Sequence, residues 1–145
     1  MAQEKLDSKE FFSKLSPKTM NLVEEFYDEK ILFQDPLGKI SGLKAMKDYY
    51  SHLYEGAEYV HFEFDRQLKS GNEEVLFWKM TLKSKNLNSG KEYSVTGNSH
   101  MIFSTQSHKC VYHRDYFDMG SFVYERIPFL KNIIHFVKGK MKEKK

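Results

Sequence analysis

Residues 75–117 read VLFWKMTLKSKNLNSGKEYSVTGNSHMIFSTQSHKCVYHRDYF, and apolar and polar side chains alternate through most of this stretch. Alternation with a period of two is typical of half-buried strands. Two polar, turn-forming segments, 86–90 and 105–109, interrupt the alternation. The stretch therefore predicts three strands, at 75–83, 93–104 and 110–117.

A fourth strand is predicted upstream of these three. Val60, Phe62 and Phe64 alternate with His61, Glu63 and Asp65. The segment Ser70-Gly71-Asn72 then has the composition of a hairpin turn. Four successive strands with hairpin-length connections indicate an antiparallel meander.

Helical spacing dominates the chain before the meander. Ser16-Pro17 has the composition of a helix start, with Ser as the N-cap and Pro in the first helical position. Apolar residues at intervals of three and four then predict a helix over about 17–28. A shorter helical turn is expected around Phe11, Phe12 and Leu15.

A short strand and a second long helix follow. The apolar run 31–35 predicts a strand that turns at Pro36-Leu37-Gly38 and returns briefly at 39–40. We expect Ser41 to cap the next helix, whose apolar stripe has helical spacing. The residues of that stripe are Leu43, Met46, Tyr50 and Leu53.

The C-terminal region is predicted to be helical again. Gly120 ends the last strand, and Pro128 separates a turn at 121–126 from a helix that begins near 128. Helices first, then consecutive strands, indicate an α+β fold and not alternating α/β. A strongly curved antiparallel sheet covered by the N-terminal helices would leave a cone with an apolar interior. We predict one domain over 1–145, with loosely ordered tails at about 1–9 and 139–145.

Composition favours a cavity-bearing globular domain. Of the 145 residues, 40% are apolar, and 12 Phe and 9 Tyr are enough to line a cavity as well as fill a core. The net charge is +3, but the segment 138–145, with five Lys and one Glu, contributes +4, which leaves −1 for the rest. An excess of positive charge confined to one end does not indicate a nucleic-acid-binding face.

The chain gives little sign of an extracellular or membrane location. Cys110 is the single cysteine, so no intrachain disulfide can form. The N-terminal residues lack the apolar core of a signal peptide, and no apolar run is long enough to span a bilayer. We therefore expect a cytoplasmic protein without membrane contact. No cluster of His, Cys and carboxylates has the spacing of a metal site.

Two polar residues on the last strand are candidate site residues. His113 and Asp115 lie two positions apart, so they share one face of the strand with Val111 and Phe117. Polar groups on an apolar face cost free energy unless they are paired or hydrated. They are expected either to line a pocket or to form a structural hydrogen bond. On the preceding strand, Ser99 is a possible hydrogen-bond donor to the same pocket.

Asp35 is the third candidate. It ends an apolar strand and precedes Pro36, where Asp often initiates a turn. The residue is therefore either a turn residue or an acid that faces the pocket.

Four motifs follow one another along the chain: Phe33-Gln34-Asp35-Pro36-Leu37-Gly38, Trp78-Lys79-Met80, Gly97-Asn98-Ser99-His100 and His113-Arg114-Asp115-Tyr116-Phe117-Asp118. In this order they resemble SnoaL-like proteins of the NTF2-like superfamily, in particular a bacterial branch related to ketosteroid isomerases. The likeness covers about residues 10–140 and extends to Tyr124 and Pro128-Phe129-Leu130. It implies a cone-shaped fold with an internal pocket and a homodimer formed through the sheet.

The resemblance also implies roles for the acids. Asp35 stands where ketosteroid isomerases have their catalytic base, but their Tyr and second acid are replaced by Phe11 or Phe12 and by Ser99. Asp115 matches a catalytic Asp of limonene-epoxide hydrolases, whose other catalytic residues are not matched. SnoaL-like cyclases depend mainly on one acid of the last strand, a requirement that Asp115 could meet.

Two functional hypotheses follow. The first is a small-molecule protein that needs no cofactor and binds an apolar, carbonyl-bearing ligand, with Asp35 or Asp115 as a general base assisted by His113. The second is a non-catalytic ligand-binding or dimeric interaction module with the same fold. Aromatic, aliphatic and hydroxyl side chains are expected to line the pocket. These expected ligand-binding residues are Phe33, Tyr50, Trp78, Ser99, Met101 and Phe117.

Overall fold

A computed structural model of the chain describes residues 6–85, 90–118, 136–137 and 139–142. Within them lie three helices and six strands, and residues 136–137 and 139–142 are helical as well. The predicted turn at 86–90 lies mostly outside the described residues, and the predicted features between 119 and 135 lie entirely outside them. In chain order the elements are α1 (Ser8–Lys14), α2 (Leu22–Phe26), β1 (Tyr27–Asp35), β2 (Gly38–Ser41), α3 (Leu43–Glu55), β3 (Ala57–Ser70), β4 (Glu73–Ser84), β5 (Tyr93–Phe103) and β6 (Cys110–Phe117).

The six strands form one curved, open sheet in the order β2-β1-β6-β5-β4-β3. The meander from β3 to β6 is antiparallel throughout, as predicted. β1 lies parallel to β6 and pairs Phe33 with His113, a contact that the sequence did not reveal. The predicted α+β class, with helices packed on a curved and mainly antiparallel sheet, is confirmed.

The core lies between the helices and one face of the sheet. Inward-facing residues of β4, Leu76, Trp78, Met80 and Leu82, are all buried. Phe11 of α1 stacks on Phe26 of α2, with ring centroids 4.3 Å apart. This aromatic core holds α1 and α2 against the sheet, because neither helix is long enough to be stable alone.

The predicted helix over 17–28 was wrong in extent. Ser16 does not cap a helix, because its N–H and hydroxyl both bond the hydroxyl of Thr19 in a local turn. The α2 helix spans only five residues, and the chain is already extended at Tyr27. Pairing with β6 extends β1 to nine residues, against the five predicted.

The predicted cap at Ser41 was also wrong. Ser41 belongs to β2, and Gly42 occupies the N-cap position of α3 with φ of 90° and no side-chain hydrogen bond. That backbone conformation is rarely adopted by residues with a side chain, so glycine is required there. The predicted stripe of α3 faces the core: Met46 and Tyr50 are buried, Leu43 and Leu53 pack partly buried against the core, and Tyr54 is a further buried residue.

A bulge in β6 changes which residues face inward. Ile102 pairs with Tyr112, whereas the next residue, Phe103, pairs with Cys110. The extra residue, Val111, shifts the alternation. Cys110, and not Val111, therefore lies on the buried face with His113 and Asp115.

Candidate functional site

Asp115 accepts two hydrogen bonds on a single carboxylate oxygen. The hydroxyl of Ser99 lies 2.5 Å from Oδ1, and Nε2 of His113 lies 2.6 Å from the same atom. Both neighbours are held by the sheet, because Ser99 pairs directly with Asp115 and His113 lies two residues earlier on β6. The other oxygen, Oδ2, has no hydrogen-bond partner among the described residues. The Asp115 side chain is 16% exposed, and Oδ2 is not among the fully buried, unpartnered polar atoms of the described residues, so it is accessible.

The hydrogen bonds continue from Asp115 in both directions. On one side, the indole Nε1–H of Trp78 donates to the hydroxyl of Ser99 at 2.9 Å. On the other side, Nδ1 of His113 lies 2.8 Å from the hydroxyl of Tyr27, which in turn lies 2.8 Å from the hydroxyl of Tyr50. These six residues, Trp78, Ser99, Asp115, His113, Tyr27 and Tyr50, are called the Asp115 hydrogen-bond chain.

Donor chemistry fixes the protons next to Asp115. A carboxylate only accepts, and an indole N–H only donates. Ser99 must therefore direct its own hydrogen to Asp115 while it accepts from Trp78. For the same reason Nε2 of His113 must carry a proton, and in the neutral imidazole this leaves Nδ1 as the acceptor.

The two tyrosines complete this order. Because Nδ1 of His113 accepts, Tyr27 must donate to it, and Tyr50 must then donate to Tyr27. Burial raises the pKa of Tyr27 well above its usual value, and neighbouring Tyr50 adds to the shift. Burial is likewise the main cause that raises the pKa of Tyr50, and the negative charge of Asp115 is the second. Both phenols therefore keep their hydrogens, and all the donors of the Asp115 hydrogen-bond chain point towards Asp115.

Aromatic rings surround the buried histidine. His113 is fully buried, and its ring lies 4.9 Å from Phe33 and 5.8 Å from Tyr27, centroid to centroid. Met101 is paired with His113 in the sheet and is fully buried as well. The rings hold the imidazole in place, while its two nitrogens are satisfied by Tyr27 and Asp115.

Gly97 allows the indole of Trp78 to reach Ser99. A Cβ at position 97 would lie 2.6 Å from the ring of Trp78 and 2.6 Å from the carbonyl of Tyr116. Any residue with a Cβ at position 97 would clash at these distances. Glycine is therefore needed there to leave space for the indole ring of Trp78. The same indole lies 6.3 Å from the ring of Phe117, which pairs with Gly97 in the sheet.

Asp35 occupies a different environment from Asp115. Its Oδ1 accepts from the backbone N–H groups of Leu37 and Gly38 at 2.8 and 3.1 Å, which forms the turn between β1 and β2. Its Oδ2 accepts from the hydroxyl of Tyr49 at 2.9 Å. Burial raises the pKa of Tyr49, followed by the charges of Asp115 and Asp35, so Tyr49 lies within electrostatic reach of both acids.

The structure thus brings eight of the nine predicted site residues to one region. Five of them belong to the Asp115 hydrogen-bond chain, and Phe33, Met101 and Phe117 pack around it. Asp35 lies beyond Tyr49. The sequence did not identify Tyr27 or Tyr49 as site residues. Extending the alternation of Ile31, Phe33 and Asp35 backwards would have placed Tyr27 on the buried face.

A separate cavity of about 410 Å³ lies along β3, β4 and β5. Most of its lining comes from outward-facing positions, and Trp78 is the one predicted site residue in it. Its lining residues are Glu63, Phe64, Asp65, Phe77, Trp78, Lys79, Thr96 and Gly97.

Neither a metal site nor a membrane-spanning helix is found in the described part of the chain. Within those residues, no group of three or more His, Cys, Asp or Glu could hold a metal ion. None of the described helices has both the length and the apolarity to cross a bilayer.

Solved structures with the same fold share little sequence with this chain. A ketosteroid isomerase-like protein from Catenulispora acidiphila DSM 44928, in complex with trimethylamine, is 13% identical with a TM-score of 0.65 and covers 79% of this chain and 84% of its own. A proposed SnoaL-like polyketide cyclase from Shewanella putrefaciens CN-32 is 15% identical, with a TM-score of 0.63 and coverages of 73% and 82%. TerC, co-crystallised with polyporic acid, is 14% identical with a TM-score of 0.61 and coverages of 71% and 82%.

Comparison at the level of sequence families is more specific. None of the curated proteins compared with this sequence matches it significantly. The SnoaL-like domain family, however, matches residues 9–113, which is well over half of the chain and reaches His113. The chain therefore belongs to the SnoaL-like domain family.

Proposed function

We propose that this chain binds a small, largely apolar molecule and that Asp115 is its acid/base group. The observation that supports this most directly is that the two oxygens of Asp115 differ in their hydrogen bonding. Oδ1 is occupied by Ser99 and His113, whereas Oδ2 is accessible and has no partner among the described residues. A ligand can therefore reach Oδ2 without disturbing the hydrogen bonds that hold the carboxylate.

This arrangement suits a general base in isomerisation, cyclisation or hydrolysis. A proton taken from the substrate would bind Oδ2, while Oδ1 keeps both of its hydrogen bonds. Positioned acid/base groups of this kind contribute about 10²–10⁴-fold to rate. Asp35 is less suited to the role, because each of its oxygens already accepts a hydrogen bond from the protein.

The solved neighbours support a small-molecule role without identifying the ligand. One neighbour is in complex with trimethylamine, and another was crystallised with polyporic acid. These molecules differ in size and charge, so the fold accommodates more than one class of ligand. Polyketide cyclase-like neighbours make cyclisation a reasonable reaction class for this chain.

The alternative is a non-catalytic ligand-binding module. Phe11 and Phe12, which stand where ketosteroid isomerases have an oxyanion donor, are core residues here and cannot donate a hydrogen bond. Carbonyl chemistry needs such a donor to stabilise a developing oxyanion. This observation favours binding without the isomerase reaction.

The catalytic proposal is tested by paired acid-to-amide variants. We expect Asp115→Asn to lower kcat/KM by about 100-fold or more on any apolar substrate that the wild-type chain turns over. We expect Asp35→Asn to change it by less than about tenfold. If Asp115→Asn retains turnover within threefold of wild type, Asp115 is not the base, and the binding-module alternative gains support.

We further propose that the chain forms a homodimer through the outer face of its sheet. The cross-strand row Phe77, Asn98 and Tyr116 is on that face, and 43% of Tyr116 is exposed. Lys79 and Glu63 lie nearby, so both signs of charge are available for a two-fold contact. Sedimentation velocity of wild type and Tyr116→Glu tests this: we expect a dimer that the variant weakens, and a monomeric wild type would contradict it.

A further inference from the structure

The hydrogen-bond donors around Asp115 are all in use. Trp78 donates to Ser99, and Ser99 donates to Asp115. His113 donates through Nε2 to Asp115, and Tyr49 donates to Asp35. Among the described residues of the site, no donor is left for a ligand.

The tyrosines behind the histidine are committed as well. Tyr27 donates to Nδ1 of His113, and Tyr50 donates to Tyr27. If Tyr27 turned its hydrogen towards a ligand, Nδ1 would remain buried without a partner, which costs free energy. The donors of the Asp115 hydrogen-bond chain therefore have one stable direction, and the series ends on an acceptor, the carboxylate of Asp115.

Neither acid of the site is paired with a Lys or Arg among the described residues. The ion-pair contacts of those residues include Asp115 only with the imidazole of His113 and do not include Asp35. Tyr49 lies within electrostatic reach of both carboxylates. A ligand that reaches Asp115 therefore meets an acceptor with no Lys or Arg of the described chain beside it.

The surroundings of Asp115 add an aromatic contribution. The ring of Trp78 is held beside Ser99, and that of Phe117 lies 6.3 Å from it. The faces of such rings attract cations. A ketone gains little from these rings beyond apolar contact, and its oxygen finds no donor.

We propose that the preferred ligand of this site is a hydrogen-bond donor, a protonated amine on a small apolar body, bound through Oδ2 of Asp115. This inference rests on the proposed function, because it takes Asp115 as the group that meets the ligand. It departs from the carbonyl-bearing ligand expected from the sequence. The distinction is one of polarity, since the described site offers an acceptor and no donor.

Three probes of one carbon skeleton test the proposal: 1-phenylethylamine, 1-phenylethanol and acetophenone, titrated into the full chain by calorimetry at neutral pH. A charge-assisted hydrogen bond corresponds to about ten- to hundredfold in affinity. We expect the amine to bind at least tenfold more tightly than acetophenone, with the alcohol between them. Asp115→Asn should remove the preference for the amine and leave acetophenone within about twofold.

Glu58→Gln is the matched control. Glu58, at the beginning of β3, is an exposed acid that pairs with Lys83 of β4. The variant should leave the affinity for all three probes unchanged. The comparison among probes on wild type stands even if Asp115→Asn fails to fold. Equal or tighter binding of acetophenone, or an amine preference that survives in Asp115→Asn, would overturn the inference while leaving a small-molecule site. Binding of none of the probes would count against both the inference and the proposed function.

Discussion

At the scale of single residues, the site is determined by which atoms can donate. His113 and Asp115 were predicted from their spacing on one strand, because two polar groups on an apolar face need a reason to be there. Their partners could not be predicted in the same way. Tyr27 and Tyr50 come from elements that are distant in sequence, and only the parallel pairing of β1 with β6 brings Tyr27 to His113. Asp35, in contrast, forms a turn of the kind that its Asp-Pro sequence indicates.

Tyr27→Phe tests the direction of the Asp115 hydrogen-bond chain. The change removes the donor to Nδ1 of His113 and leaves that buried atom unpaired, which should lower the free energy of unfolding by about 1–3 kcal/mol. Urea denaturation measures the loss, and side-chain ¹⁵N spectra of wild type should show His113 with its proton on Nε2. Tyr59→Phe, at an exposed position of β3, should cost almost nothing. A wild-type proton on Nδ1, or equal stability of the two variants, would refute the assigned direction.

At the scale of elements, local pattern predicted the strands well and the first helices poorly. The meander strands alternate clearly, and the limits of β6 agree with those predicted. The helix prediction for residues 17–28 was wrong because their apolar spacing suits a helix, whereas pairing with β6 makes Tyr27 the start of a strand. Such long-range pairing overrides local preference and leaves no local signal. The bulge at Val111 was missed for the same reason, since it is visible only in the register with β5.

The attachment of α1 to the sheet depends on a buried carboxylate. Glu74 of β4 is 3% exposed and accepts from the hydroxyl of Ser8 at 2.8 Å and from the amide of Gln67. We expect Glu74→Ala to lower the free energy of unfolding by about 1–3 kcal/mol, because the buried hydroxyl of Ser8 loses its acceptor and the amide of Gln67 loses one of its three. Amide exchange in α1 should accelerate more than exchange in β5. Glu58→Ala is the exposed control, and equal protection of α1 in the two variants would show that Glu74 does not hold this helix.

At the scale of the whole molecule, buried phenols predict how stability depends on pH. Burial raises the pKa of Tyr27, Tyr49, Tyr50 and Tyr54 above the ordinary value near 10. The folded chain therefore keeps these protons above about pH 10, whereas the unfolded chain loses them. Stability contributed by these groups is complete below that pH and falls as the pH rises through it, by roughly 1.4 kcal/mol per pH unit for each tyrosine.

Urea unfolding between pH 8 and 11 measures this decline. With four such tyrosines, the free energy of unfolding should fall by about 5 kcal/mol per pH unit above pH 10. Tyr54→Phe removes one of the four and should reduce the slope by about a quarter. A free energy of unfolding that stays level from pH 9.5 to 11 would mean that these phenols ionise as readily in the folded chain as in the unfolded one.

The overall architecture was predictable because motif order extends over nearly the whole chain, and the family match confirms it. The polarity of the site was not predictable, because it depends on hydrogen bonds between β1, α3, β4, β5 and β6. The sequence resemblance implied carbonyl chemistry, whereas the described hydrogen bonds leave Oδ2 of Asp115 as an acceptor with no free donor beside it. The fold of a SnoaL-like chain and the chemistry of its interior are therefore separate questions.

The central claim is that ligand binding takes place at Asp115, and Trp78 provides a direct way to test it. Trp78 is the single tryptophan of the chain, so its indole N–H produces one isolated signal in a ¹⁵N–¹H spectrum. On titration with 1-phenylethylamine, we predict that this signal and the amides of Ser99 and Asp115 shift together and yield one dissociation constant. If the amides of Ser99 and Asp115 stay unchanged while those of Glu63, Lys79 and Thr96 move, the ligand binds in the separate cavity along β3, β4 and β5, which Trp78 also lines. That result would contradict binding at Asp115.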